Sequence, residues 1–168
     1  SYYNLSQGIR DYVYVSLSDA PEIEVTGNEQ RIFTGDELPS LADHTSFGDV
    51  SLTGGTQQRT FTITNVGRVD LNLTGSPRVQ ISGENADDFT ILAMPPATLT
   101  SLGGSAALVI SFTPGGLGLR QAEVSIASDD ADENPFVFAI HGRGVNYSPV
   151  ASNQSVTTAE DTPVTITL

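Results

Sequence analysis

Along most of the chain, apolar and polar side chains alternate in segments of five to seven residues bounded by Gly, Pro, Asn and Asp. A period of two places alternate residues on opposite faces of an extended backbone, so these segments predict half-buried strands. In Thr60–Thr64, Phe61 and Ile63 face one way and three threonines the other. Ala106–Phe112 puts Leu108, Ile110 and Phe112 on one face, and Ala122, Val124 and Ile126 alternate with Glu123 and Ser125. Phe136, Phe138 and Ile140 alternate with Val137, Ala139 and His141. Shorter candidates are Glu22–Val25, Arg31–Phe33, Leu71–Leu73, Arg78–Ser82 and Phe89–Leu92. Helical periodicity is hard to find. Short strands with polar turns at regular spacing predict an all-β, antiparallel sandwich of immunoglobulin-like type.

Aromatic residues divide the chain. All seven phenylalanines lie between Phe33 and Phe138, whereas the five tyrosines, Tyr2, Tyr3, Tyr12, Tyr14 and Tyr147, lie outside that span. Phenylalanine suits a dry core, and tyrosine suits a surface where the ring is covered and the hydroxyl stays wet. The expected division is a terminal strand segment over 1–20, a complete sandwich over 21–144, and a linker with the first strand of a further repeat over 145–168. Both ends carry extended, strand-like segments. Tyr12 and Tyr14 alternate with Val13, Val15 and Leu17, and Pro163–Leu168 brings Val164 and Ile166 to one face. A lone strand leaves its apolar face and its backbone ladder unpaired, so each end needs a partner sheet.

Charge narrows the setting. Twenty acids stand against seven arginines, lysine is absent, and the net charge is −13. Such a field repels phosphate, which argues against nucleic acid, and attracts cations, Ca²⁺ above all. There is no cysteine, which removes thiolate metal sites, disulfides and thiol nucleophiles together. No apolar run approaches the roughly 18 residues of a membrane helix. The opening residues lack the pattern of a signal peptide, and the chain breaks off inside a strand, so it reads as a piece of something longer.

From Pro21 to Gly144 the order of motifs resembles the bacterial choice-of-anchor D domain, a Hydin-like (ASH-type) relative of the immunoglobulin sandwich. The motifs are PEIEV, Thr45–Gly48, FTITNVG, ISGENADDFTI, the SFTPGGLGLRQAEVSI hairpin region and DDADENPFVFAIHGRG. Physical roles can be assigned to several of them. Asn65 and Gly67 supply turn geometry after a core strand, and Pro114–Gly116 breaks the chain between two antiparallel strands. Pro135 stays outside the ladder of the last strand, and Gly142 and Gly144 stand where the chain leaves the sheet. Asn146–Leu168, with AEDTPVTITL as its most telling run, resembles the opening of a bacterial cadherin-like tandem repeat. The two resemblances imply a secreted or cell-surface bacterial protein in which sandwiches are strung into stalks and adhesive arms.

The acidic run Asp129, Asp130, Asp132, Glu133 and Asn134 is the most pointed candidate for chemistry. Asp130-x-Asp132-x-Asn134 imitates the first half of an EF-hand loop. Pro135 then stands where glycine is required and His141 where a bidentate Glu should be, so the EF-hand reading fails. The expected role of these acids is to cap an exposed turn, with a weak surface Ca²⁺ site as the alternative; Glu160 and Asp161 are further Ca²⁺ candidates at a domain junction. No carboxylate stands in a context that predicts burial or a displaced pKa, and no nucleophile elbow accompanies His44 or His141. No catalytic residue and no bound cofactor is therefore expected. The expected function is a non-catalytic structural and interaction module of a large extracellular protein. Its partners would be neighbouring domains or identical subunits, through Tyr12, Val13, Tyr14, Val15, Val164 and Ile166. Two alternatives remain: a filament subunit assembled by β-strand donation, and a carbohydrate-binding domain using Tyr2, Tyr3, Tyr12 and Tyr14.

Overall fold

The computed structural model describes residues 19–147. The terminal strand candidates around Tyr12–Leu17 and Pro163–Leu168, together with Glu160 and Asp161, lie outside the described residues.

Within that span the chain forms eleven strands: β1 (Ile23–Gly27), β2 (Gln30–Ile32), β3 (Ser46–Ser51), β4 (Gln57–Asn65), β5 (Leu71–Asn72), β6 (Val79–Ser82), β7 (Phe89–Ala93), β8 (Thr98–Leu99), β9 (Ser105–Phe112), β10 (Gly118–Ile126) and β11 (Phe136–Val145). A 3₁₀ turn over Ala86–Asp88 precedes β7. One sheet has the order β2-β1-β4-β9-β7, the other β3-β11-β10-β6, and β5 pairs with β8 in a small third ladder. The all-β sandwich predicted from alternation is the observed fold.

Alternation explains the layers. Phe61 and Ile63 on β4 and Leu108, Ile110 and Phe112 on β9 are fully buried, facing Val124, Ile126, Phe136, Phe138 and Ile140 of the opposite sheet. Each such side chain contributes about 1.5–3 kcal/mol by leaving water. The rings gather in two groups. Phe89 stacks on Phe112 at 4.8 Å and meets Phe47 edge-on at 5.4 Å, while Phe138 lies 5.4 Å from Phe61 and 6.3 Å from Phe136. Phe33 is the exception: it is 64% exposed, beneath the guanidinium of Arg31. The expectation that every phenylalanine lies in the core is therefore corrected.

Three further expectations change. The sandwich is not wholly antiparallel, because β3 runs parallel to β11. Pro114–Gly116 does not close a hairpin; β9 and β10 belong to different sheets, and the segment carries the chain from one layer to the other. Gly142 and Gly144 lie within β11 rather than at its exit. A methyl at 142 would overlap the Phe112 ring, and one at 144 would overlap the Gly116 carbonyl. Glycine at these two positions permits close approach of the layers.

Candidate functional site

The acidic run occupies the connection between β10 and β11, as expected, with Asp129, Asp132 and Asn134 exposed, but one side of the turn is buried. Ser128 and Asp130 are each only 1% exposed. The Asp130 carboxylate accepts the backbone N–H of Ile23 at 2.8 Å and that of Asp132 at 3.3 Å. Its own N–H donates to the Ser128 hydroxyl at 3.3 Å, and the Ser128 N–H donates to the Asn134 side-chain oxygen at 3.1 Å. Asp129 turns the other way and clamps Asn72, accepting from its backbone N–H at 2.8 Å and from its side-chain amide at 2.7 Å. The loop thus ties β1 on one side to β5 on the other.

Folding brings a partner that the sequence did not signal. Glu22, just before β1, sets a carboxylate beside Asp130 and Asp132, with one oxygen from each lying within 4.8 Å of the others. Burial raises the Glu22 pKa above its ordinary value, and the charges of Asp130 and Asp132 raise it further. Asp130 is raised by burial and by a side-chain hydrogen bond with the Asp132 carboxyl, although the N–H groups of Ile23 and Asp132 favour its charged form. Glu133 is raised by burial and then by Asp130 and Glu22, and its Oε2 is buried with no hydrogen-bond partner. Arg31 offsets part of the repulsion at Glu22 and Glu133. The view of these acids as outer punctuation with ordinary pKa values is thus wrong for Asp130, whose carboxylate replaces a ladder partner for the first residue of β1.

Chemically, Glu22, Asp130 and Asp132 could touch one hard cation, but both Asp130 oxygens already accept backbone N–H groups, from Ile23 and Asp132. Of the acids expected as ligands, Asp130 and Asp132 are brought together. Asp129 and Asn134 are committed to loop closure, and Glu133 stands at the margin. Acid–base chemistry would need a cleft at the carboxylates. The groove described for this chain, about 340 Å³ between β6 and β7, is lined by no ionisable residue.

A second buried polar knot holds the same end of the sandwich. Asn65 is fully buried at the end of β4. Its amide nitrogen donates to the carbonyls of Val69 (2.8 Å) and Leu99 (3.1 Å), and its oxygen accepts from Gly67 (3.0 Å) and Glu22 (3.3 Å). Asn65 therefore forms the expected turn with Gly67 and is also a hub joining β4 to β8 and to the residue before β1. Elsewhere Asp88, also buried, pairs with Arg120. His141 is half-buried on β11, and burial holds its imidazole below its ordinary pKa. No catalytic grouping involves His44 or His141 among the described residues.

The matched span coincides with the body of this sandwich: residues 40–143 fit the family model of the HYDIN/CFA65/VesB-like, Ig-like domain. The chain belongs to that family. Among solved structures it is similar to a protein of unknown function from Porphyromonas gingivalis W83, at 19% identity and a TM-score of 0.53, covering 78% of this chain and 51% of that one. It is also similar to the secreted serine protease VesC from Vibrio cholerae, at 21% identity and a TM-score of 0.47, covering 62% of this chain and 22% of that one. The ASH/PapD-like domain 7 of human CEP192 matches at 15% identity and a TM-score of 0.42, covering 88% of this chain and 100% of that domain. The chain thus spans about half, or less, of these two bacterial proteins. No curated protein matches the sequence. Identities this low support the fold alone. Among the described residues no helix is long and apolar enough to cross a membrane.

Proposed function

We propose that the chain is a non-catalytic structural and interaction module of a larger bacterial secreted or cell-surface protein. The observation that carries this reading is where the buried polar groups go. Asp130 serves the Ile23 N–H, Asn65 satisfies four backbone groups, and Asp88 holds Arg120. These groups close the sandwich, and none lines the groove between β6 and β7. Membership of an Ig-like family that occurs within larger proteins fits the same reading. The closer resemblance to choice-of-anchor D domains, and that of Asn146–Leu168 to a cadherin-like repeat, extend it to sandwiches strung in series at the cell exterior.

The test uses the parent polypeptide. Replacing residues 21–144 with a flexible linker of equal span should weaken attachment or partner binding and leave any activity of neighbouring domains intact. Loss of a chemical activity that the isolated chain also performs would contradict the proposal.

A further inference from the structure

β6 and β7 are the outermost strands of the two sheets, joined through Gly83–Asp88, and they flank one open side of the sandwich. Each is paired along one edge only, β6 with β10 and β7 with β9. No described strand covers the other edges. The groove of about 340 Å³ between them is lined by Val79 and Ile81 from one strand and by Phe89, Ile91 and Met94 from the other side. Met94 is 38% exposed and Leu92, at the bulge in β7, is 53% exposed. An apolar slot bordered by unpaired backbone is the arrangement that accepts an added strand.

We propose that this groove receives Tyr12–Leu17 of a second copy of the chain, giving head-to-tail assembly. Three observations select that occupant. Tyr12–Leu17 carries no charge in a chain of net charge −13, matching a groove without ionisable lining. Its alternation offers Val13, Val15 and Leu17 on one face, with Tyr12 and Tyr14 on the other, where the hydroxyls can remain wet. Reach then separates self from neighbour. Asp19 is held by its ion pair with Arg68, and the Ala20 carbonyl abuts Gly67, beside the end of β4. The two residues of chain back to position 17 can span at most about 7 Å. β7 is two strand positions beyond β4, about 10 Å. A strand ending at Leu17 therefore lies in a neighbour's groove, and each added copy leaves its own groove open. Pro163–Leu168 is the competing occupant, because the stretch from Tyr147 to Pro163 spans up to about 50 Å and reaches either groove.

The inference rests on the reading of the chain as an interaction module, yet the two can fail separately. A chain that never self-associates sinks the strand exchange and leaves the module reading intact. The experiment measures the mass of the full 168-residue chain by light scattering over rising concentration, at low and high salt. Mass should climb past the dimer, and more readily in high salt, because the copies are alike in charge. The chain lacking residues 1–17 and the Ile81→Arg variant should each stay monomeric. Mixed together they should form one-to-one heterodimers, since one retains the groove and the other the strand; that result also shows that the truncated chain is folded, and an unchanged β-sheet circular dichroism spectrum shows it for Ile81→Arg. A full chain that stays monomeric throughout would overturn the proposal. So would association that survives removal of residues 1–17, or association lost only when residues 163–168 are removed.

Discussion

Gly142 and Asn65 show how much of this sandwich depends on single side chains. Gly142 lies against the ring of Phe112, so Gly142→Ala forces the layers apart and should cost about 1–3 kcal/mol, read as a lower denaturation midpoint. Asn65→Ala removes four hydrogen bonds from a fully buried position and should cost about 2–4 kcal/mol. Both residues were visible in the sequence as motif positions; the turn that Asn65 makes with Gly67 was legible, but its bonds to Val69, Leu99 and Glu22 and the contact of Gly142 with Phe112 were not. Glycine in a strand and asparagine after one look like turn signals, and only the approach of a second layer shows what they touch. The partnership of Glu22 with Asp130 was hidden for the same reason. The two are far apart in sequence, and the only local signal was an acid directly before the first strand.

Among the elements, legibility followed regularity. β4, β9, β10 and the first half of β11 announce themselves because inward residues recur at every second position. β3 escaped because Phe47 and Val50, its buried apolar residues, are three apart, separated by Gly48 with φ of +75°. The register against β11 shifts at the same place, so the period of two is lost. β8 is simply too short to show a pattern. The loop between β10 and β11 was located correctly and the burial of Ser128 and Asp130 within it missed, since a run of acids reads as solvated until its backbone partners are known. Asp130→Ala, which strands the Ile23 N–H, should cost about 1–3 kcal/mol, whereas Asp130→Asn keeps an acceptor and should cost less. With both Asp130 oxygens engaged by backbone N–H groups, the melting temperature should be the same in millimolar Ca²⁺ and in chelator; a clear rise with Ca²⁺ would make the loop a metal site.

The same loop sets a pH dependence. Glu22, Asp130 and Glu133 have raised pKa values in the fold, so the folded chain binds more protons than the unfolded one in that window. Their contribution to stability is full below the ordinary carboxylate pKa and is lost as pH rises through the raised values. His141, lowered by burial, acts in the opposite sense: its contribution is present above the ordinary histidine pKa and is lost as pH falls through the lowered one. Melting temperature measured from neutral into mildly acid solution should therefore respond to the two separately. Glu22→Gln should flatten the carboxylate part and leave the histidine part unchanged.

At the scale of the whole molecule, the sandwich is a stiff body with a sealed interior and two sheets whose open side exposes unpaired backbone beside an apolar groove. The chain's net charge is −13, and the groove between β6 and β7 is apolar. An apolar groove beside unpaired strand edges suits the recognition of extended backbone. Hydrogen exchange of the full chain, compared between dilute and concentrated solution, tests this most directly. Amides of Val79–Ser82 and Phe89–Ala93 should become more protected as concentration rises, while those of β3 at the opposite edge stay unchanged. Equal exchange at both concentrations, or protection gained at β3 instead, would contradict it.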